Sequence, residues 1–178
     1  GIIAQNVNLN PDNFSKIEKY CLEKDIKMLV VGPEKPLVDG IVDHFKDKPI
    51  RVFGPDKISS KLEGSKIFTK KICQKKNIPT SKFKIFESLN ETLDYLRNSN
   101  FPLVIKADGL ASGKGVYVCQ NFNEAKSASE EIFNGKFGVA KQILVEEFLD
   151  GEEMSYFVVT DGKNYKFFGS AQDHKRVG

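Results

Sequence analysis

The sequence lacks several features that would place it among special classes of protein. No apolar run approaches the roughly 20 residues that a membrane-spanning helix needs, and the first residues lack the basic and then apolar pattern of a signal peptide. The 27 basic and 24 acidic residues are mixed along the chain and leave a net charge of only +3, which is too even for a nucleic-acid-binding surface. We therefore expect a cytoplasmic protein without nucleic-acid or membrane partners.

Cysteine is scarce as well. Cys21, Cys73 and Cys119 lie far apart, without a CxxC pair and without a histidine at the spacing of metal ligands. This distribution predicts buried thiols in a reducing compartment.

Only two histidines are present, and they lie in different settings. His44 is next to Phe45 on a predicted helix, and we expect a packed or surface side chain there. His174 lies among Asp173, Lys175 and Arg176, where an anion-binding role and a structural salt-bridge cluster are both open.

The composition is that of a globular protein with a sizeable core. Of the 178 residues, 40% are apolar and 29% are charged, which allows one large domain or two small ones. The chain opens without Met on a strand-like stretch, GIIAQNV, and stops just after the polar run QDHKRVG. We therefore expect an internal part of a longer protein.

The first third of the chain alternates strands and helices. Apolar strands at 28–31 and 51–53 each end in a Gly-Pro pair, and Pro36 opens a helix after the first of them. Two such units in succession predict part of a doubly wound α/β domain over residues 1–60.

The loop GPEKP after the first strand lies at the edge where such sheets bind ligands. Glu34 could therefore point into a site. A carboxylate that favours the positive end of a helix dipole explains the same residue equally well.

From about residue 78 the pattern changes to α+β with antiparallel strands. Strands are predicted at 83–86, 103–106, 116–119, 143–146, 154–160 and 165–170, with helices around 89–96 and 122–133. The turn Asp161-Gly162-Lys163 joins the last two strands into a hairpin. Before this part, a basic cluster at 66–76 has helical spacing, and as a whole it is typical of a solvated helix face.

The stretch KADGLASGKG, residues 106–115, is the most distinctive motif. It departs from a Walker A loop, because only three residues separate Gly109 from Gly113 and because Gly115 follows Lys114 where Ser or Thr is needed. A strand follows, so the loop joins two strands. Such a flap can lay backbone N–H groups over a polyphosphate, with Lys106 adding a charge from the strand that enters it. A protein kinase has the glycine loop before the lysine strand, and this order excludes that class.

The segment ILVEEFLDGEE, residues 143–153, could complete a nucleotide site. Its apolar strand ends in a short linker that could present backbone groups to a base, and a carboxylate follows that could bind ribose hydroxyls. Each part is unspecific by itself, whereas the order lysine strand, glycine flap, linker strand and ribose acid is much more specific.

With these motifs the chain resembles the phosphoribosylamine–glycine ligase family of ATP-grasp enzymes. The resemblance rests on VVGPEKPLVDGIVD, FGPDK, KLEGSK, NIPT, VIKADGLASGKGV, VEEFLDGEE and SAQDHKRVG, which follow one another in the family's order over nearly the whole chain. It implies an incomplete ATP-grasp domain over 61–178, with a lid subdomain at 78–150.

The resemblance also implies roles for individual residues. It assigns ATP binding to Lys66, Lys106, Gly109, Ser112, Gly113, Lys114, Gly115, Glu146, Glu147, Phe148, Leu149 and Glu153. It places the phosphoribosylamine and glycine side at Pro33, Glu34, Asp173, His174, Lys175 and Arg176.

The implied reaction joins glycine to 5-phosphoribosylamine through a glycyl phosphate, with release of ADP and phosphate, in purine biosynthesis. ATP and Mg²⁺ or Mn²⁺ are the implied cofactors, and the metal ligands are expected outside this segment, which should be inactive alone. Two alternatives stay open: another ATP-grasp carboxylate–amine ligase, and a nucleotide-binding module without catalysis. GPEKPL and QDHKR argue against the first alternative.

Overall fold

The computed structural model describes residues 3–110, 114–138 and 141–174. It divides into two units, residues 1–147 and residues 148–178. Among the helices of the described residues, none has the length and apolar character needed to cross a membrane.

The helices are short and most begin at a polar cap. Ser65, Ser88 and Asn121 each accept a hydrogen bond from the backbone N–H three residues later, which satisfies one free donor of the helix that follows. The helices are α1 (Phe14–Glu23), α2 (Glu34–Asp39), α3 (Ile41–His44), α4 (Lys61–Gly64), α5 (Lys66–Lys76), α6 (Leu89–Arg97) and α7 (Phe122–Phe133).

The strands agree closely with the predicted ones. They are β1 (Met28–Val30), β2 (Arg51–Phe53), β3 (Phe83–Phe86), β4 (Leu103–Ala107), β5 (Val116–Cys119), β6 (Ile143–Glu147), β7 (Glu153–Thr160) and β8 (Tyr165–Asp173). The prediction of a strand in GIIAQNV is wrong, because the described residues 3–10 contain no strand.

The first part of unit 1 is a parallel pair of strands with helices. Strand β1 pairs with β2 in parallel register, Leu29 opposite Val52, as the alternation of strands and helices predicts. The helix expected from Pro36 through Phe45 is divided into α2 and α3, because Gly40 between them has φ +100°, a left-handed conformation that favours glycine.

His44 belongs to the packing of this part. Its Nε2 lies 2.8 Å from Glu18 Oε2 on α1, and its ring lies 5.9 Å from the ring of Phe14. Lys48 forms an ion pair with Glu18, also at 2.8 Å, and the hydrogen bonds from Lys48 and His44 hold the pKa of Glu18 below its usual value against the effect of burial. The histidine thus joins α1 to α3 as a packed residue.

The second part of unit 1 is a four-stranded antiparallel sheet in the order β3-β6-β4-β5. Because side chains alternate along a strand, Leu103, Ile105 and Ala107 of β4 point to one face, and Lys106 points to the other. The first face packs against α6 and α7 in an apolar core that also includes Leu96. Two of the three thiols, Cys21 and Cys119, are buried, and Cys73 is half-buried.

Unit 2 contains an antiparallel hairpin. Strands β7 and β8 pair from Glu153 opposite Asp173 to Thr160 opposite Tyr165, with one irregularity after Phe157. The turn residue Asp161 accepts hydrogen bonds from the N–H groups of Lys163 and Asn164, which lower the pKa of its carboxyl to about 2. The predicted hairpin is confirmed.

Truncating the centre of the sheet tests this packing. Ile105 is 0% exposed, so Ile105→Ala is expected to lower the free energy of unfolding by about 2–5 kcal/mol, because it leaves a cavity. Val118→Ala is the control, since Val118 lies on the neighbouring strand and is 39% exposed; its loss should stay below about 1 kcal/mol. Denaturant titration measures both, and equal losses would contradict the assignment of the core face.

Candidate nucleotide-binding site

A pocket of about 210 Å³ lies on the second face of the four-stranded sheet, where α5 covers it. Three lysines line the pocket, Lys66 and Lys70 from α5 and Lys106 from β4, together with Glu146 from β6. Glu63 of α4 is a second lining carboxylate, so three cationic and two acidic side chains meet around one cavity within unit 1.

Glu146 is the buried centre of this group. It is 5% exposed, and its Oε2 atom lies 3.1 Å from the Nζ atoms of both Lys70 and Lys106. The Ser81 hydroxyl donates to the same oxygen at 2.6 Å. Burial opposes ionisation of this carboxyl, but the Ser81 hydrogen bond and the two ammonium groups outweigh it and hold the pKa of Glu146 below its usual value.

Strand register explains how Lys106 reaches Glu146. Glu146 is opposite Val104, two residues before Lys106 on the same face of β4. A diagonal pair of this kind is within reach of a long side chain. The pair therefore depends on the pairing of β4 with β6.

The other carboxylate oxygen, Glu146 Oε1, is buried and has no hydrogen-bond partner among the described residues. A buried carboxylate oxygen without a donor is costly. The geometry therefore suits a ligand that brings an N–H or O–H group to this point, such as the exocyclic amine of a base.

Asp108 connects the base of the glycine flap to helix α5. Its carboxylate accepts hydrogen bonds at 3.0 Å from the Ser65 hydroxyl and at 3.1 Å from the Ile67 N–H. An acidic group at this end of a helix is favoured by the unpaired N–H groups and the dipole. Asp108 thus fixes the start of α5, and with it Lys66, beside the flap.

Lys66 is held close to the flap by a further contact. Its Nζ donates to the Gly109 carbonyl at 2.6 Å, and Gly109 has φ +96°, a conformation that favours glycine. Burial lowers the pKa of Lys66, an effect that the negative charge of Asp108 opposes.

The flap is closed at its base by a hydrogen bond of 2.8 Å from the Ala107 N–H to the Gly115 carbonyl. Lys114 is exposed at this base. The predicted flap residues Ser112 and Gly113 lie outside the described residues.

The predicted hinge residues divide between the two units. Glu147 is joined to the residue before β3, since its N–H donates to the Lys82 carbonyl at 3.0 Å and its side chain accepts from the Lys82 N–H at 2.7 Å. Phe148 and Leu149 are exposed in unit 2, where Glu153 begins β7.

The residues expected on the substrate side belong to both units. Pro33 is the N-cap of α2 and Glu34 is its exposed first residue, so neither is among the described residues that line the pocket. Asp173 ends β8 and His174 is exposed after it. Lys175 and Arg176 lie outside the described residues.

Three residues at the site were missed by the sequence analysis. Lys70 belongs to the basic cluster that was interpreted as a solvated helix face, and this interpretation is wrong for Lys70, whose side chain is 12% exposed. Its spacing of four residues from Lys66 places both lysines on one side of the helix and could have indicated it. No comparable spacing or motif in the sequence indicated that Ser81 and Asp108 belong to the site.

Within the described ranges, no group of three or more His, Cys, Asp or Glu side chains is arranged to hold a metal ion. The pocket residues present three lysines against two carboxylates, Glu63 and Glu146. They fit an anion and do not fit a metal centre.

Comparison with known families gives one consistent match. The profile of the phosphoribosylglycinamide synthetase N domain matches residues 1–63, and that of the ATP-grasp (A) domain of the same enzyme matches residues 64–178. The chain is 48% identical over 179 residues to the phosphoribosylamine–glycine ligase of Mesorhizobium japonicum. That alignment covers 100% of this chain and 42% of the relative.

Solved structures show the same fold. The phosphoribosylamine–glycine ligase of Thermotoga maritima superposes with a TM-score of 0.72 at 29% identity, over 89% of this chain and 39% of that one. The biotin carboxylase domain of Hydrogenobacter thermophilus 2-oxoglutarate carboxylase, a complex with MgADP, gives a TM-score of 0.74 at 20% identity, over 94% and 39% of the two chains. The present chain thus spans about two fifths of its relatives.

Removing Asp108 should loosen the start of α5. Asp108→Ala is expected to lower the free energy of unfolding by about 1–2 kcal/mol, because the Ser65 hydroxyl and the Ile67 N–H lose their acceptor. Asp108→Asn keeps an acceptor and should cost less. Denaturant titration measures the free energy of unfolding of each variant, and Asp47→Ala, at an exposed position, is the control. If Asp108→Ala loses no more stability than Asp47→Ala, Asp108 does not anchor the start of α5.

The charge of Glu146 should make stability depend on pH. Glu146→Gln is expected to cost about 1–3 kcal/mol at neutral pH, because two ammonium groups lose their counter-ion. The pKa of this carboxyl is lower in the folded protein than its ordinary value of 4.5. Its stabilisation is therefore complete above the unfolded pKa and is lost as the pH falls through the folded pKa.

Unfolding free energies measured from pH 7 down to pH 3 test this prediction. The difference between wild type and Glu146→Gln should shrink below the ordinary pKa of 4.5. The exposed Glu23→Gln serves as the control and should show little difference at any pH. A constant difference for Glu146→Gln would show that its charge is not the cause.

Proposed function

The chain belongs to the phosphoribosylglycinamide synthetase family, and we propose that the protein is an ATP-dependent ligase that joins glycine to 5-phosphoribosylamine. The observation that carries the proposal is the pocket in which Lys66 and Lys106 lie beside the flap base and the partnerless Oε1 atom of Glu146. The family match supports the substrates.

The pocket suits the two ends of a nucleotide. Lysine ammonium groups and flap N–H groups stabilise the charge of a polyphosphate. The free oxygen of Glu146 can accept a hydrogen bond from the adenine amine, and residues 147–149 would present backbone groups to the base. Glu153 would bind the ribose hydroxyls.

The reaction proposed has two steps. The glycine carboxylate attacks the γ-phosphorus of ATP, which forms glycyl phosphate and releases ADP. The amine of phosphoribosylamine then attacks the acyl carbon, forms the amide and expels phosphate. Both steps need positioning and charge neutralisation, which Lys66, Lys106 and the flap at 109–115 can provide, and neither needs a nucleophile from the protein.

Closure of the flap would exclude water from the acyl phosphate. Mg²⁺ or Mn²⁺, when bound, would neutralise phosphate charge; we assign it no ligand among the described residues. Residues 1–60 would supply the substrate-binding domain with Pro33 and Glu34. Asp173, His174, Lys175 and Arg176 would complete the substrate side from the other domain, 61–178.

Nucleotide binding tests the proposal directly. Calorimetry with Mg·ATP is expected to show binding that Lys106→Ala weakens about tenfold to a hundredfold, the effect of losing a charged hydrogen bond. Lys84→Ala is the matched control, since Lys84 is an exposed strand lysine in the same sheet. No binding, or equal effects of the two variants, would overturn the assignment of the phosphate site.

Turnover is the second measurement. A form of the protein extended to the length of its relatives should convert ATP to ADP over many turnovers only when glycine and phosphoribosylamine are both supplied, because the amine is needed to consume the glycyl phosphate. Use of another amine in place of phosphoribosylamine would assign the protein to a different carboxylate–amine ligase. Lys106-dependent binding without turnover by the extended form would indicate a binding module.

A further inference from the structure

The ammonium group of Lys70 makes several polar contacts inside the protein. Its Nζ lies 3.1 Å from Glu146 Oε2, 2.7 Å from Thr80 Oγ1 and within hydrogen-bond distance of Ser81 Oγ. It also lies 5.7 Å from the centroid of the Phe83 ring. With 12% of its side chain exposed, Lys70 occupies the closed side of the pocket.

Lys106 approaches the same carboxylate oxygen from the open side. Its distance to Glu146 Oε2 is also 3.1 Å, but 25% of its side chain is exposed, twice the value for Lys70. Of the two ammonium groups that share one oxygen, Lys106 is therefore the one that an entering anion can reach.

This geometry sets a condition on phosphate binding. When Lys106 turns to a phosphate, it leaves a carboxylate that is 5% exposed. A buried carboxylate that loses its counter-ion either destabilises the complex or takes up a proton. The third ammonium group facing Glu146, that of Lys66, is held by the Gly109 carbonyl, so Lys70 is the group placed to remain with the carboxylate.

We propose that Lys70 is a positioning residue that acts as the permanent counter-ion of Glu146 and thereby frees Lys106 to move to the nucleotide phosphates. The inference rests on the proposed nucleotide site and deepens it. Lys70 contacts Glu146 and does not contact the nucleotide. It keeps the carboxylate ionised in the complex, with Oε1 still available as an acceptor.

In the wild type, Glu146 therefore neither takes up nor releases a proton when the nucleotide binds. Without the charge of Lys70, Glu146 loses its remaining ammonium partner when Lys106 moves, and it takes one proton from solvent. Binding then becomes coupled to proton uptake, so the affinity of the variant rises as the pH falls. A residue with a merely structural role would weaken binding without this coupling.

The test measures proton uptake during Mg·ATP binding by calorimetry in buffers of different ionisation enthalpy. Relative to wild type, Lys70→Met should take up as much as about one additional proton per ATP, and bind roughly tenfold or more weakly at neutral pH. Lys70→Gln retains polar contacts to Ser81 and Thr80 and should show the same uptake, in case the Met variant does not fold. Lys70→Arg keeps the charge and should show none.

Two controls test whether the additional proton uptake depends on Lys70 itself and on the carboxylate of Glu146. Lys71→Met removes an exposed lysine one residue further along α5 and should leave both affinity and proton uptake unchanged. The double variant Lys70→Met with Glu146→Gln has no carboxylate to protonate, so the additional uptake should disappear.

The results of these experiments separate the role of Lys70 from the proposed binding of ATP at the site. If wild type binds ATP in a Lys106-dependent manner but both neutral variants show no additional proton uptake, Lys70 is not the retained counter-ion and this inference alone fails. Proton uptake equal in Lys71→Met would also overturn it. If wild type does not bind ATP, both the proposed site and the role of Lys70 are wrong.

Discussion

The candidate site depends on one buried carboxylate that is kept ionised. Glu146 is almost removed from water, and an isolated charge in such a place would be neutralised. Lys70 from α5, Lys106 from β4 and the Ser81 hydroxyl compensate it at a single oxygen. Because these groups come from three separate segments, the charge balance fixes the helix and the sheet relative to each other and so defines the walls of the pocket.

Asp108 adds a second electrostatic tie between the same two layers. It follows β4 directly and accepts hydrogen bonds from the start of α5, where Lys66 then reaches back to the Gly109 carbonyl. The flap base and the first lysine of the helix are thus positioned together. Glu146 thus positions the lysines of the inner wall of the pocket, and Asp108 positions the start of α5 at the edge of the pocket.

The strands and most helices could be predicted because their signals are local. Alternation along β4 and the motif order around Lys106 and Glu146 are visible in the sequence, and the hairpin turn at Asp161 has its own chemistry. The spacing from Lys66 could have indicated the side of α5 on which Lys70 lies, but not its partners Ser81 and Glu146, which belong to other segments, and a lysine beside other lysines is typical of a solvated face. The division of one expected helix at Gly40 follows from a left-handed backbone that one glycine by itself does not reveal.

A buried ion cluster is a poor means of stabilising a fold, because desolvation cancels much of the attraction and apolar side chains of similar size often serve as well. The sheet already has an apolar core on its other face, against α6 and α7. The charged cluster lies instead at the wall of a cavity that three ammonium groups and two carboxylates line, and one oxygen of the buried carboxylate has no donor among the described residues. Stability alone does not account for an excess of positive charge and a free acceptor side by side, whereas a ligand that carries anionic groups at one end and a hydrogen-bond donor at the other accounts for both.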